Sequence, residues 1–170
     1  MIILGIDPGE TLIGFGVIEE KNTNLSLIDY GNITITSLHT TTAKKLLSLE
    51  KKLTILIKKY HPHVVVVEEL FFVKNLKTGI RVAQARGVIL VTCERNRIPV
   101  AEFTPLQIKQ AVTGYGKADK KQVQRMIGII LHTEKNFSQD DAADAIAAAI
   151  CGSNTTLYRH HTPKSYPINS

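Results

Sequence analysis

Apolar positions along the chain change period several times, and each change marks an element. Ile2-Ile3-Leu4-Gly5-Ile6 is a nearly continuous apolar run closed by an acid, Asp7, and then by Pro8-Gly9. Such a run predicts a strand covered on both faces and followed by a turn. Ile13 to Glu20, kept slim by Gly14 and Gly16, predicts a second strand, and the β-branched stretch Leu25 to Thr36 a third. The short turn Lys21-Asn22-Thr23-Asn24 joins them into an antiparallel meander. Helical spacing then takes over: Leu46, Leu49, Leu53 and Leu56 follow an N-cap at Thr40-Thr41-Thr42, giving a helix over Thr42 to Tyr60. Val64 to Val67 is a second buried run, again closed by an acid, Glu68.

Leu76 to Asn96 predicts a helix, with Gly79 and Gly87 expected to permit close approach, and Val100 to Phe103 a short strand. Thr104 caps a helix that starts at Pro105 and breaks at Gly114-Tyr115-Gly116. Lys120 to Leu131 and Asp141 to Cys151 complete the helices, the last apolar nearly all round. The order βββαβαβ followed by helices predicts an α/β domain. Its sheet is mixed, a three-strand antiparallel meander plus parallel strands, flanked by helices. The domain covers residues 1–152, and residues 153–170 form a flexible polar tail.

Composition narrows the class. The 170 residues are 44% hydrophobic and 21% charged, which excludes disorder as a description of the whole chain. No stretch reaches roughly 18 uncharged apolar residues, so no membrane span is expected. The first ten residues lack the basic start of a secretory signal. Cys93 and Cys151 form no C-x-x-C pair, which suits two buried, reduced thiols in a cytoplasmic protein. The net charge of +6 favours a polyanion as partner.

The chemistry lies in four acids. Asp7 and Glu68 end buried strands, where α/β sheets build their sites. Asp141 and Asp144, three residues apart, share one face of an otherwise uncharged helix. Buried carboxylates are costly unless a cation compensates them. Four of them converging would suit a hard divalent cation such as Mg²⁺. Two such ions, roughly 3.5–4 Å apart, can activate water and stabilise the leaving oxygen of a phosphodiester. Each acid also has a plainer role: Asp7 can cap its turn, and Ser138 with Asp141 fits a capping box. Asp144, inside the apolar helix, has no such local role. Lys74, Lys77 or Arg81, and Arg86 recur at near-helical spacing. Lys109, Lys117, Lys120, Lys121 and Arg125 surround the Gly114-Tyr115-Gly116 break. Both sets suit phosphate contacts. The adjacent Phe71 and Phe72 cannot both easily face a core, so one is a candidate for stacking or wedging.

Five segments follow one another in order: Ile3-Leu4-Gly5-Ile6-Asp7-Pro8-Gly9; Gly14-Phe15-Gly16; Glu68 with Phe71, Lys74 and Asn75; Gln84-Ala85-Arg86-Gly87; and Asp141-Ala142-Ala143-Asp144-Ala145. As a set, over about Ile2 to Ile150, they resemble RuvC, the bacterial family of Holliday-junction resolvases, or crossover junction endodeoxyribonucleases. The resemblance implies a ribonuclease-H-like fold, a homodimer, and metal-dependent cleavage of four-way DNA junctions in recombination and repair. It puts the catalytic and metal-binding acids at Asp7, Glu68, Asp141 and Asp144. It puts functional lysines at Lys109 and Lys120, with Lys121 competing for the second role. Phe71 matches an aromatic near the junction and Arg81 a basic DNA contact. Lys74, Asn75, Lys77, Lys117 and Lys121 complete the expected DNA-binding set. Mg²⁺, two ions per site with Mn²⁺ as a possible substitute, and the RuvA–RuvB branch-migration complex are implied as cofactor and partner. Asp140 and Glu69 are extra acids beside the motifs. Two alternatives stay open: a nuclease of the same fold acting on RNA or RNA–DNA hybrid, and a non-catalytic junction-binding module.

Overall fold

The computed structural model describes residues 1–35, 41–70, 76–134, 137 and 140–154. Its elements are β1 (Ile2–Asp7), β2 (Leu12–Lys21), β3 (Asn24–Thr34), α1 (Thr42–Tyr60), β4 (Val64–Glu68), α2 (Leu76–Arg95), β5 (Val100–Phe103), α3 (Pro105–Thr113), α4 (Lys120–Ile130) and α5 (Asp140–Ser153). The strands form one sheet in the order β3-β2-β1-β4-β5. The first three are the antiparallel meander, and β4 and β5 extend it from β1 in parallel.

Strand alternation sorts side chains onto two faces. Leu4, Ile6, Val65 and Val67 pack with Leu49, Leu53 and Ile57 of α1 and Ala85, Ile89 and Cys93 of α2. Ile3, Val64 and Val66 face the other way, onto α3, α4 and α5. Asp7 has the parity of Ile3, and Glu68 that of Val64 and Val66. Both acids therefore point to the α5 side.

That side is shaped by missing side chains. Gly5 and Gly16 are register partners across β1 and β2, and Gly14 is the partner of Asp7. A Cβ at Gly5 would meet the Ala149 nitrogen at 2.7 Å and the Ala145 carbonyl oxygen even closer. One at Gly14 would strike the Asp141 carbonyl, and one at Gly16 would lie 2.8 Å from the Ile146 Cα. The glycines are thus a bed into which the alanine-rich α5 sinks, and the seating sets the height of Asp141 and Asp144 above Asp7. Gly5→Ala is expected to cost about 3 kcal/mol or more, because the obstacle is helix backbone that cannot rotate away. Urea unfolding measures this, and an unchanged midpoint would contradict the seating.

Local chemistry fixes the helices that approach this face. Thr104 and Gln107 form a capping box at the start of α3, with Pro105 at N1, and Asp119 and Gln122 form one at the start of α4. Thr41 caps α1. Cys93 and Cys151 are buried free thiols. Burial pushes them up to about 12 and about 11, which leaves them unreactive.

Three expectations change. Gly87 permits no close approach within the chain, because a Cβ there would meet nothing within 4 Å. The last helix runs past the expected end at Cys151 to Ser153, with Gly152 pressed on Val66. β3 ends at Thr34 rather than Thr36, and it carries a bulge. Val17 pairs with Asp29 but Ile18 pairs with Leu27, which leaves Ile28 over. The extra residue reverses the strand's facing: Leu25 and Leu27 pack toward α5 while Ile33 and Ile35 pack toward α1, and Ile28 is exposed.

Candidate active site

Asp7 and Glu68 end neighbouring parallel interior strands whose last registered pair is Ile6 with Val67, so the two acids lie side by side at the C-terminal ends of those strands. α5 brings Asp141 and Asp144 over them, half-buried on a helix whose following residues are buried. The four form one electrostatic unit. Burial, reinforced by the negative charges of Glu68, Asp144 and Asp141, pushes the Asp7 carboxyl up to about 8. Burial and Asp144 likewise push Glu68 up to about 7. Among the described residues, no group of three or more His, Cys, Asp or Glu side chains is placed to hold a metal ion. The acids are close enough to repel without sharing a centre.

Two lysines oppose them. Lys120, the first residue of α4, has its Nζ 3.9 Å from Asp144 Oδ2, and its charge pulls against the upward shifts of Asp7 and Glu68. A lysine at a helix N-terminus stands at the unfavourable end of the helix dipole. The acids compensate it. Lys109, on α3, pulls Glu68 in the same direction. Asp144 therefore has a partner that its own helix does not reveal. Lys121 turns away, into a broad groove of about 730 Å³ with Arg125 and His132. Between adjacent lysines, it is Lys120 that the fold directs at the acids.

The remaining basic residues divide. Lys77 is exposed in the first turn of α2, and Lys117 is exposed on the segment between α3 and α4. Arg81 is paired with Glu10, in the turn just after Asp7-Pro8-Gly9. Arg86, half-buried, is ion-paired with Glu102 of β5. Neither partner was legible in advance, because nothing local links residues 71 or 16 positions apart. Phe71, Phe72, Lys74 and Asn75, and the Ser138 proposed for a capping box, lie outside the described residues.

Residues 3–152 match the family model described as Crossover junction endodeoxyribonuclease RuvC. The chain belongs to the RuvC family. A RuvC crossover junction endodeoxyribonuclease of Petrotoga mobilis is 51% identical over 154 residues, covering 91% of this chain and 94% of that one. The solved structure of RuvC from Thermus thermophilus superposes with a TM-score of 0.81 at 30% identity, over 90% of this chain and 93% of that one. A structure of T. thermophilus RuvC in complex with Holliday junction substrate matches with the same TM-score and coverage at 27% identity. The fold is thus the ribonuclease-H-like fold of RuvC, as the ordered motifs implied. RuvC membership also gives the chain its reaction class, that of a crossover junction endodeoxyribonuclease. Among the described residues no helix is long and apolar enough to cross a membrane.

Proposed function

We propose that this chain resolves four-way DNA junctions as a cytoplasmic homodimer, by paired, divalent-metal-dependent hydrolysis of phosphodiester bonds. The observation that carries the reading is a deficit of positive charge at the buried acids. Even with Lys109 and Lys120 pulling against it, Glu68 stays near 7, and Asp7, with Lys120 opposing, stays near 8. A hard cation is what such an oxygen donor set lacks. RuvC nucleases are metal-dependent. Here Mg²⁺ is the ion assigned, two per site, with Mn²⁺ as a substitute. Asp7, Glu68, Asp141 and Asp144 would hold it. When bound, such ions supply electrophilic activation of the phosphodiester and of water.

The chain's own residues do the rest. The strand-end acids fix where activation occurs, because their backbones are paired in the sheet. Lys109 and Lys120 balance the negative charge that accumulates on the phosphate. Lys77, Lys117 and Lys121 bind the DNA backbone, and Phe71, Lys74 and Asn75 are assigned to the junction by their motif. Arg81 joins them by exchanging Glu10 for a phosphate.

The dimer reading rests on α2. Leu76, Ile80 and Val91 are exposed apolar residues along it, with Gly87 open between the last two. A second copy across a two-fold axis would cover this stripe and set two sites against a symmetric junction. Ile80→Glu is expected to give a monomer in sedimentation and to replace paired cuts by single nicks. Unchanged dimerisation would place the interface elsewhere. The RuvA–RuvB complex is the assigned upstream partner.

The deciding experiment offers end-labelled four-way junction, linear duplex and RNA–DNA hybrid to the protein, with Mg²⁺ or EDTA. Paired, metal-dependent cuts in the junction alone are expected. Cleavage of the hybrid alone, or tight junction binding without any cleavage, would replace this reading.

A further inference from the structure

Between α3 and α4 the chain presents an aromatic residue that neither the core nor the acid cluster uses. Tyr115 is 58% exposed. Exposure alone would mean little; what sets Tyr115 apart is the loop that carries it and the charges around it. The loop is not a loose one. The Thr113 hydroxyl donates to the Lys109 carbonyl and, alternatively, to the Tyr115 carbonyl, at 2.8 and 2.9 Å, and it accepts from the Tyr115 nitrogen at 3.1 Å. Gln110 Nε2 donates to the Gly114 carbonyl at 2.7 Å, and the Ala118 nitrogen to the Tyr115 carbonyl at 3.1 Å. Gly114 takes a left-handed conformation at φ 75°, which turns the chain sharply out of α3. Gly116 lies against Leu106, itself 57% exposed. The backbone that carries Tyr115 is therefore fixed before anything binds.

Its position is also fixed relative to the chemistry. The same Thr113 hydroxyl that holds Tyr115 touches the carbonyl of Lys109, whose charge reaches Glu68. Past the loop, the Asp119 cap starts α4 at Lys120, which reaches Asp144. Lys117, exposed, stands between. A rigid aromatic tip is thus bracketed by lysines, and its segment leads into Lys120, whose Nζ lies 3.9 Å from Asp144 Oδ2. Lysines mark the path of a polyanion, and an aromatic face among them suits a base, since every base has a face to stack. A side chain with few rotors on a fixed backbone loses little entropy on binding.

We infer that Tyr115 is a DNA-contacting residue that stacks on an unpaired or unstacked base at the junction, close to the scissile phosphate, with Lys117 holding the adjacent backbone. The inference rests on the junction-resolving reading above and adds to it a contact and a ligand group. It assigns to Tyr115 the positioning of the strand rather than the chemistry.

The test uses the full chain, a four-way junction carrying 2-aminopurine at successive positions around the exchange point, and EDTA to prevent cutting. For the wild type, one position should show a fluorescence change on binding. Tyr115→Ala should abolish that change and weaken junction binding by about 5- to 150-fold, the order expected for one lost aromatic–base stack. Tyr115→Phe should retain both. Linear duplex affinity should be nearly the same for all three proteins, whereas Lys117→Ala should weaken duplex and junction alike and reduce the salt dependence. Circular dichroism should show all variants folded, because the substituted side chains are exposed. If wild-type protein binds the junction and Tyr115→Ala matches it in affinity and fluorescence, the inference is wrong, and the tip faces a protein partner or nothing. If wild-type protein does not bind junctions at all, the functional reading fails first and the inference falls with it.

Discussion

Asp7→Asn is expected to reduce junction cleavage on the order of a thousandfold or more, while junction affinity in EDTA stays within about twofold. The magnitude is that of removing a group matched to charge in the transition state. Asparagine keeps the shape of aspartate, so the β1 terminus and its Gly14 partner need not move. It removes one negative charge from a cluster whose members already repel. Two consequences follow that a structural role for Asp7 would not give. The variant loses one of the four carboxylates that would hold a divalent cation, so its residual activity should need more Mg²⁺ than the wild type's. Its metal-free fold should be as stable as the wild type or more so near neutral pH, because asparagine needs no proton taken up on folding. Destabilisation together with retained cleavage would mean that Asp7 is a turn cap and that the hydrolytic centre lies elsewhere. A single-turnover cleavage series with Mg²⁺ titration, run beside urea unfolding, separates these outcomes.

Much of this arrangement is visible in the sequence because its determinants are local. An apolar run of five or six residues closed by an acid places Asp7 and Glu68 at strand ends without any knowledge of pairing. Spacing of three places Asp141 and Asp144 on one helix face. Thr104 and Pro105 announce the start of α3 by their own chemistry. What escapes is decided by partners far along the chain. Ile28 reads as one more β-branched residue in a strand, and only the pairing of Val17 with Asp29 and of Ile18 with Leu27 makes it a bulge. Gly87 reads like Gly5 and Gly16, yet it faces nothing while they bed α5. Lys120 and Lys121 cannot be ranked from their own surroundings, because what separates them is which one the α4 N-terminus aims at Asp144. Arg81 and Arg86 both look like phosphate ligands until Glu10 and Glu102 are brought to them by the fold. The motif order shows the family at once, but the charge balance within the site needs the three-dimensional structure.

The same charge balance makes the metal-free protein sensitive to pH in an unusual direction. In most proteins, carboxylates with lowered values add stability as pH rises. Here Asp7 goes from 3.8 to about 8 on folding, and Glu68 from 4.5 to about 7. Between those limits the folded state holds protons that the unfolded state has released. Stability is then greatest below the unfolded values and declines as pH rises toward 7 to 8. Each unit of such a shift corresponds to about 1.4 kcal/mol, so the decline should be on the order of several kcal/mol, lessened because the two groups titrate together. A divalent cation binds the deprotonated cluster, so its stabilising effect should grow with pH across the same window. Unfolding midpoints in EDTA at about pH 5 and about pH 8 should therefore differ markedly, and saturating Mg²⁺ should restore most of the loss at the higher pH. Asp7→Asn should flatten the EDTA profile and lose most of the Mg²⁺ response, since it deletes the more strongly shifted group. A variant profile that slopes as steeply as the wild type would assign the pH dependence to groups outside the cluster. It would also remove the charge deficit on which the metal site rests.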